Sequence, residues 1–278
     1  MSAEPPRYVD FGAYSRRVPA TIPAAVQQAT GRFLDKRAER VAELPEWEAL
    51  RQAASDIRLH TLTHLDAYLE RLEDRLTAVG AHVHWAADAE AARAVVLDVA
   101  RRAGAKTVVK AKSMATEEIG LNHALEEAGI QAFETDLGEY IIQLAGMGPS
   151  HIIVPAVHMK KEEIAELFTK KLGVEAPADP VRLTALAREV LRERFLAARV
   201  GISGANFLVA DTGTLVTVTN EGNGRMCTTL PDVHVAVVGI DKVVPDWESL
   251  SVLLKLLARS ATGQKLTTYT SFITGPRR

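Results

Sequence analysis

The sequence predicts an α/β fold: an open, mostly parallel sheet flanked by helices, with a helical extension at the N-terminus. Three observations predict it. Short apolar or β-branched runs alternate with amphipathic stretches of helical length between about residues 81 and 172, the pattern of βαβ units. The chain has 278 residues, 47% hydrophobic and 24% charged, enough to bury a large core. After Gly201 the pattern turns β-rich.

The elements follow in order. Residues 1–22 are rich in Pro, Arg and Tyr without a clear period and read as an extended arm. Ala24 to about Gly80 is helical, with Pro45 opening a second helix, since proline is tolerated in a first turn. Leu62, Leu65, Leu69, Leu72 and Leu76 place an apolar stripe on that helix, and Gly80 is a plausible stop. Ala81–Trp85 reads as a strand, Ala87–Ala103 as a helix ending at Gly104, and Thr107–Val109 as a strand. Thr116–Ala128 reads as a helix, Gln131–Phe133 as a strand, Glu139–Ala145 as a helix, and His151–Val154 as a strand. Lys160–Leu172 and Asp179–Arg199 are amphipathic helices. Phe207–Ala210, Leu215–Thr219, Val233–Val238 and Thr267–Phe272 are strands, the first two joined at Thr212-Gly213, and Ser249–Ala258 is the last helix. The division is an arm and helix over 1–48 and a main domain over 49–278.

Bulk properties exclude several classes. The net charge of -2 and an aromatic content of 5% give no footprint for nucleic acid. Apolar runs such as Val235–Val238 are too short to span a bilayer, and the N-terminus lacks the apolar region of a signal peptide. The single cysteine, Cys227, can form neither an internal disulfide nor a four-cysteine metal site, and a reducing cytoplasm is its simplest setting. His60 and His64 have the spacing of a helical metal pair, but Thr61 stands where a zinc protease carries glutamate. No Walker A, G-x-G-x-x-G or G-x-S-x-G motif is present.

Chemistry-bearing residues gather at predicted strand ends, where open α/β sheets bind ligands. NEGNGR, residues 220–225, contains Asn220, Glu221, Asn223 and Arg225 among glycines. Asn-Gly favours a hairpin turn, and the same segment could present a carboxylate and an arginine to an anionic substrate. Five of the 18 glycines fall between Gly201 and Gly224, near Asn206 and Asp211, so the backbone there needs special conformations or close approaches. ETDLGE, residues 134–139, carries Glu134, Asp136 and Glu139. These are helix caps or acid–base and hydroxyl-binding groups whose pKa values are split by mutual repulsion. His158 lies between a predicted strand and helix. Lys112, in KAKSM (110–114), stands with a helix N-terminus where an anion could be received, and Gln264 closes a helix end within SATGQ.

KAKSM (110–114), ETDLGE (134–139), PSHIIVPAVH (149–158), GISGANFLVADTGTL (201–215), NEGNGRM (220–226) and SATGQKLTTY (260–269) occur in one order. Together they resemble the LUD domain family of lactate utilization protein B, over roughly residues 50–276. The resemblance implies a fold like ribose-phosphate isomerases, glucosamine-phosphate deaminases and CoA transferases. It also implies a role beside other lactate utilization subunits in oxidising L-lactate to pyruvate. Family members continue into a ferredoxin-like region with two four-iron–four-sulfur clusters. This chain, ending at Gly275-Pro276-Arg277-Arg278, lacks the cysteines for them.

Three readings follow. In the first, Arg225, Lys112 and loop N–H groups hold a small 2-hydroxy acid, while Glu221, Asp136 or His158 takes the hydroxyl proton. Glu134, Glu139, Asn206, Asp211, Asn220, Asn223 and Gln264 complete the binding residues, no metal is held, and the electrons leave to an acceptor outside the chain. In the second, by analogy with CoA transferases, Glu221 is a nucleophile for acyl-transfer or sugar-phosphate chemistry. In the third, the domain is a non-catalytic scaffold. The sequence leaves the oligomeric state open.

Overall fold

The computed structural model describes residues 21–147 and 155–276, with Gly12, Ser15 and Arg16 ahead of them. The chain begins with three helices, α1 (Thr21–Ala42), α2 (Trp47–Thr63) and α3 (Leu65–Ala78). Then come α4 (Ala89–Arg102), β1 (Thr107–Lys110), α5 (Met114–Glu118), α6 (Leu121–Glu127), β2 (Gln131–Glu134) and α7 (Leu137–Ala145). After the predicted strand His151–Val154, which lies outside the described residues, follow α8 (Lys161–Leu172), α9 (Pro180–Ala197) and β3 (Val200–Ser203). The last part is β4 (Phe207–Val209), β5 (Thr214–Thr219), α10 (Asn223–Thr229), β6 (Val233–Ala236), a 3-10 turn (Ile240–Lys242), β7 (Val243–Val244), α11 (Trp247–Thr262) and β8 (Tyr269–Thr274).

The strands form two sheets. The first is wholly parallel, in the order β2-β1-β3-β6. Its strands carry apolar residues on both faces, as a sheet covered on both sides requires. Val108 packs with Val96, Leu121, Leu125 and Ile202 on one face, and Val109 packs with Phe133, Phe168, Leu191 and Cys227 on the other. The chain runs outward from β1 to β2 and then back across to β3 and β6. A topological switch point therefore opens between β1 and β3, at the carboxyl ends of the strands. The second sheet is mixed, in the order β7-β4-β5-β8, and packs on α2 and α11 around Phe207, Val216 and Leu250.

The α/β class and parallel sheet agree with the pattern in the sequence, and several boundaries differ for identifiable reasons. Ala81–Trp85 has no regular secondary structure and pairs with no described strand, so it is not a strand. The leucine-striped helix is two helices broken at His64. Just before the break, Thr61 and Thr63 hydroxyls donate back to Ile57 O at 2.7 Å and Leu59 O at 2.8 Å, a competition that bends helices. The predicted helix 116–128 is likewise two, α5 and α6, divided at Gly120, whose φ of 63° only glycine adopts readily. The turn at Gly213, φ 64°, joins β4 and β5 as an antiparallel hairpin. NEGNGR is not a hairpin turn: β5 pairs with β4 and β8, and residues 223–229 form α10.

Candidate functional site

The site is built where β1 and β2 end. The two strands pair in register so that Lys110 stands beside Glu134, each the last residue of a four-residue strand. Lys110 is fully buried. Its ammonium donates to Glu134 Oε1 at 2.9 Å, Glu117 Oε1 at 2.8 Å and Thr116 Oγ1 at 2.9 Å. Burial alone would lower its pKa, but Glu134 and Glu117 outweigh burial and raise it, so the lysine is charged. A buried ammonium is tolerable only when paired and hydrogen-bonded in this way. Glu134 Oε1 also accepts from Asn122 Nδ2 at 2.6 Å.

Beyond β2 the chain turns into α7. Asp136 caps that helix, its Oδ1 accepting from Glu139 N at 3.1 Å. Gly138 leaves room for Pro155, whose Cδ would stand 3.0 Å from an added Cβ. The Glu139 carboxyl is pushed up to about 8, by burial first and then by the charge of the neighbouring Glu134. Glu139 is therefore largely protonated at neutral pH. Thr135 donates its hydroxyl to Lys110 O at 2.8 Å and lies 3.4 Å from Cys227 Sγ. Asn223, first residue of α10, reaches Thr135 Oγ1 with its Nδ2 at 3.4 Å, which brings α10 over the end of β2.

α10 can lie so close because β3 offers a glycine beneath it. A Cβ on Gly201 would stand 1.9 Å from Cys227 O. The same packing buries Cys227 and pushes its thiol up to about 12, so it stays protonated at neutral pH. At the end of β3, Ser203 Oγ lies 2.7 Å from His234 Nε2, and burial holds that imidazole down to about 4, neutral under ordinary conditions.

The predicted residues divide into three groups. Glu134, Asp136, Glu139 and Asn223 come together at the strand ends. Lys112 is half-buried in the link from β1 to α5, and His158 is half-buried on the turn that follows Pro155. A second group stands where β5 leaves the second sheet. Asn220 and Gln264 form a reciprocal amide pair at 2.9 and 3.2 Å, with Thr268 N donating to Asn220 Oδ1 at 3.2 Å. Glu221 is exposed and accepts from Thr219 Oγ1 at 3.1 Å, and Arg225 is exposed on α10. Asn206 is structural, accepting from Val218 N at 2.8 Å. Asp211 sits at the far end of the β4–β5 hairpin, bonded to Arg71 at 2.8 Å, and does not join the others.

Lys110 and Asn122 are the residues that the sequence reading passed over. TVVK and QAFE each end in a charged residue, of opposite sign, and the in-register parallel pairing of β1 with β2 is what sets Lys110 beside Glu134.

A parallel sheet covered on both faces, with a buried lysine and two carboxyls at the carboxyl ends of β1 and β2, makes this an open-sheet α/β domain, a class that binds ligands beyond the strand ends. Residues 69–278 match the LUD domain, and the chain belongs to that family. It is 49% identical over 253 residues to the uncharacterized electron transport protein YkgF of Escherichia coli, covering 91% of this chain and 53% of that protein. It is 47% identical over 253 residues to lactate utilization protein B of Oceanobacillus iheyensis, covering 91% and 53%. Against the protein of that name from Shouchella clausii the identity is 46% over 254 residues, covering 91% and 54%. The chain thus spans about half the length of these relatives. No solved structure matches it.

Proposed function

We propose that this domain is the substrate-binding part of a lactate-oxidising system and holds a small 2-hydroxy acid where β1 and β2 end. The observation that carries the reading is the Lys110–Glu134–Glu139 cluster, set at the carboxyl edge of the parallel sheet in a chain related to proteins named for lactate utilization. Buried ionisable groups whose pKa values are driven apart are characteristic of functional sites. In this reading Arg225, with Asn223 beside it, receives the substrate carboxylate, and the carboxyl pair meets the hydroxyl. Lys112, Glu221 and His158 line the approach.

The electrons of the oxidation leave this domain for a redox partner, in the remainder of a longer protein or in other lactate utilization subunits. Cys227, the one cysteine, is buried as a thiol and does not fit an iron–sulfur cluster, which needs several thiolates. Among the described residues, no helix is long and apolar enough to cross a membrane.

Calorimetric titration with L-lactate tests the reading. Wild-type protein is expected to bind it, and Arg225→Ala to weaken binding by roughly tenfold, the scale of one charged hydrogen bond. Asp211→Asn, at the far end of the hairpin, is expected to leave affinity unchanged. No binding by the wild type, or equal binding by Arg225→Ala, would sink the proposal.

A further inference from the structure

Glu134 ends β2 and Glu139 stands in the first turn of α7, and the Glu134 carboxyl is near enough to raise the pKa of Glu139. Oε2 of each is buried, and no donor among the described residues reaches either atom. Two ionised carboxylates do not sit side by side in a buried site without something positive between them. Lys110 does not fill that position, because its ammonium is spent on Glu134 Oε1, Glu117 and Thr116. Asn122 also donates to Glu134 Oε1.

We infer that Glu134 and Glu139 hold one proton between them, and that this proton is the donor which a ligand's carbonyl oxygen requires in the site. The inference rests on the reading that a small hydroxy acid or its keto product binds here. Glu139 keeps the proton. Glu134 receives two donors, from Lys110 and Asn122, whereas Glu139 is raised by burial and by Glu134 and Asp136 beside it. Other charged or titratable groups on the elements around the pair are Glu117 on α5, Cys227 on α10, Arg194, whose guanidinium lies over Phe133 of β2, and His158 on the 155–158 turn.

The consequence is selectivity set by protonation. A 2-keto acid presents only acceptors at its second carbon, so it needs the loaded pair. A 2-hydroxy acid carries its own hydrogen and can be held by the loaded or the emptied pair. No bond is made or broken: ligand and proton compete or cooperate for one pair of oxygens. Apparent affinity scales with the fraction of protein in the competent state, so the keto acid should weaken as the pair empties.

Titrations with pyruvate and L-lactate at pH 7 and pH 9 test this, with infrared detection of the protonated carboxyl in the free protein. For the wild type, the pyruvate Kd is expected to rise about tenfold between these pH values, that of L-lactate by less than about threefold. Glu139→Gln, whose amide always offers a donor, is expected to bind pyruvate equally at both pH values and to lack the carboxyl band. A wild-type pyruvate Kd that does not change, or a neutral-pH spectrum without a protonated carboxyl, overturns the inference while leaving L-lactate binding intact as support for the site. Absence of binding by both ligands overturns the site and the selecting role together. A carboxyl band removed by adding Mg2+ to chelator-treated protein would place a cation, not a proton, between the two groups.

Discussion

At the scale of single residues, the site depends on a lysine with no exposed surface. Lys110 is fully buried among Glu117, Glu134 and Thr116. Such a pair adds little net stability over apolar packing, but removing one partner strands the other charge. Lys110→Met is expected to cost about 3 kcal/mol or more in urea denaturation, because Glu134 would be left buried beside Glu139. The double variant Lys110→Met/Glu134→Gln is expected to recover much of that loss, since no buried charge is stranded and the other partner, Glu117, is exposed to solvent. If the double variant is as unstable as the single one, the cost is one of packing and not of charge. The same cluster marks how far the site was legible. ETDLGE pointed to Glu134 and Glu139 because carboxylates at a strand end are conspicuous in any sequence. It offered helix capping, which Asp136 performs, only as one of two readings for all three carboxylates, and it could not say that Lys110 and not Lys112 is the buried partner. That choice depends on strand register, which a sequence fixes only once neighbouring strands are known.

At the scale of elements, the helices and strands with clear punctuation were readable. Asp88, Asp179 and Asp246 each accept from a backbone N–H three residues on, and each helix begins where its cap stands. What escaped were elements defined by a neighbour. β3, VGIS, and α10, NGRMCTT, have weak local patterns, and they exist because each packs on the other through Gly201. Gly201→Ala is expected to cost about 3 kcal/mol or more, beyond ordinary overpacking, since the new Cβ would meet the Cys227 carbonyl and Pro231. Gly31, inside α1 with nothing within 4 Å of an added Cβ, provides the contrast. Gly31→Ala is expected to stabilise by about 0.5–1 kcal/mol through helix propensity. Thermal melts of the two variants check both signs, and a Gly201→Ala protein as stable as wild type would contradict the close packing of α10 on β3.

At the scale of the whole molecule, burying titratable groups ties global stability to pH. Two groups with opposite shifts set the shape. Glu139 is raised from 4.5 to about 8 in the fold. The folded protein thus keeps a proton that the unfolded chain has released, so this contribution is complete below about pH 4.5 and is lost as pH rises through 8. His234 is lowered from 6.5 to about 4. Its contribution is present above about pH 6.5 and is lost as pH falls through 4. Between pH 4.5 and 6.5 the two slopes oppose each other. From pH 6.5 to 8 Glu139 acts without that opposition, and stability is expected to fall by up to about 1.4 kcal/mol per pH unit. Urea midpoints measured across that window should drop for the wild type. They should flatten for Glu139→Gln, which has no proton to lose, while in His234→Gln the decline with rising pH should begin already at about pH 4.5, because the opposing slope is gone. A wild-type midpoint constant from pH 6.5 to 8 would mean that Glu139 is already ionised in the fold. The two carboxyls would then need another positive partner to stay side by side.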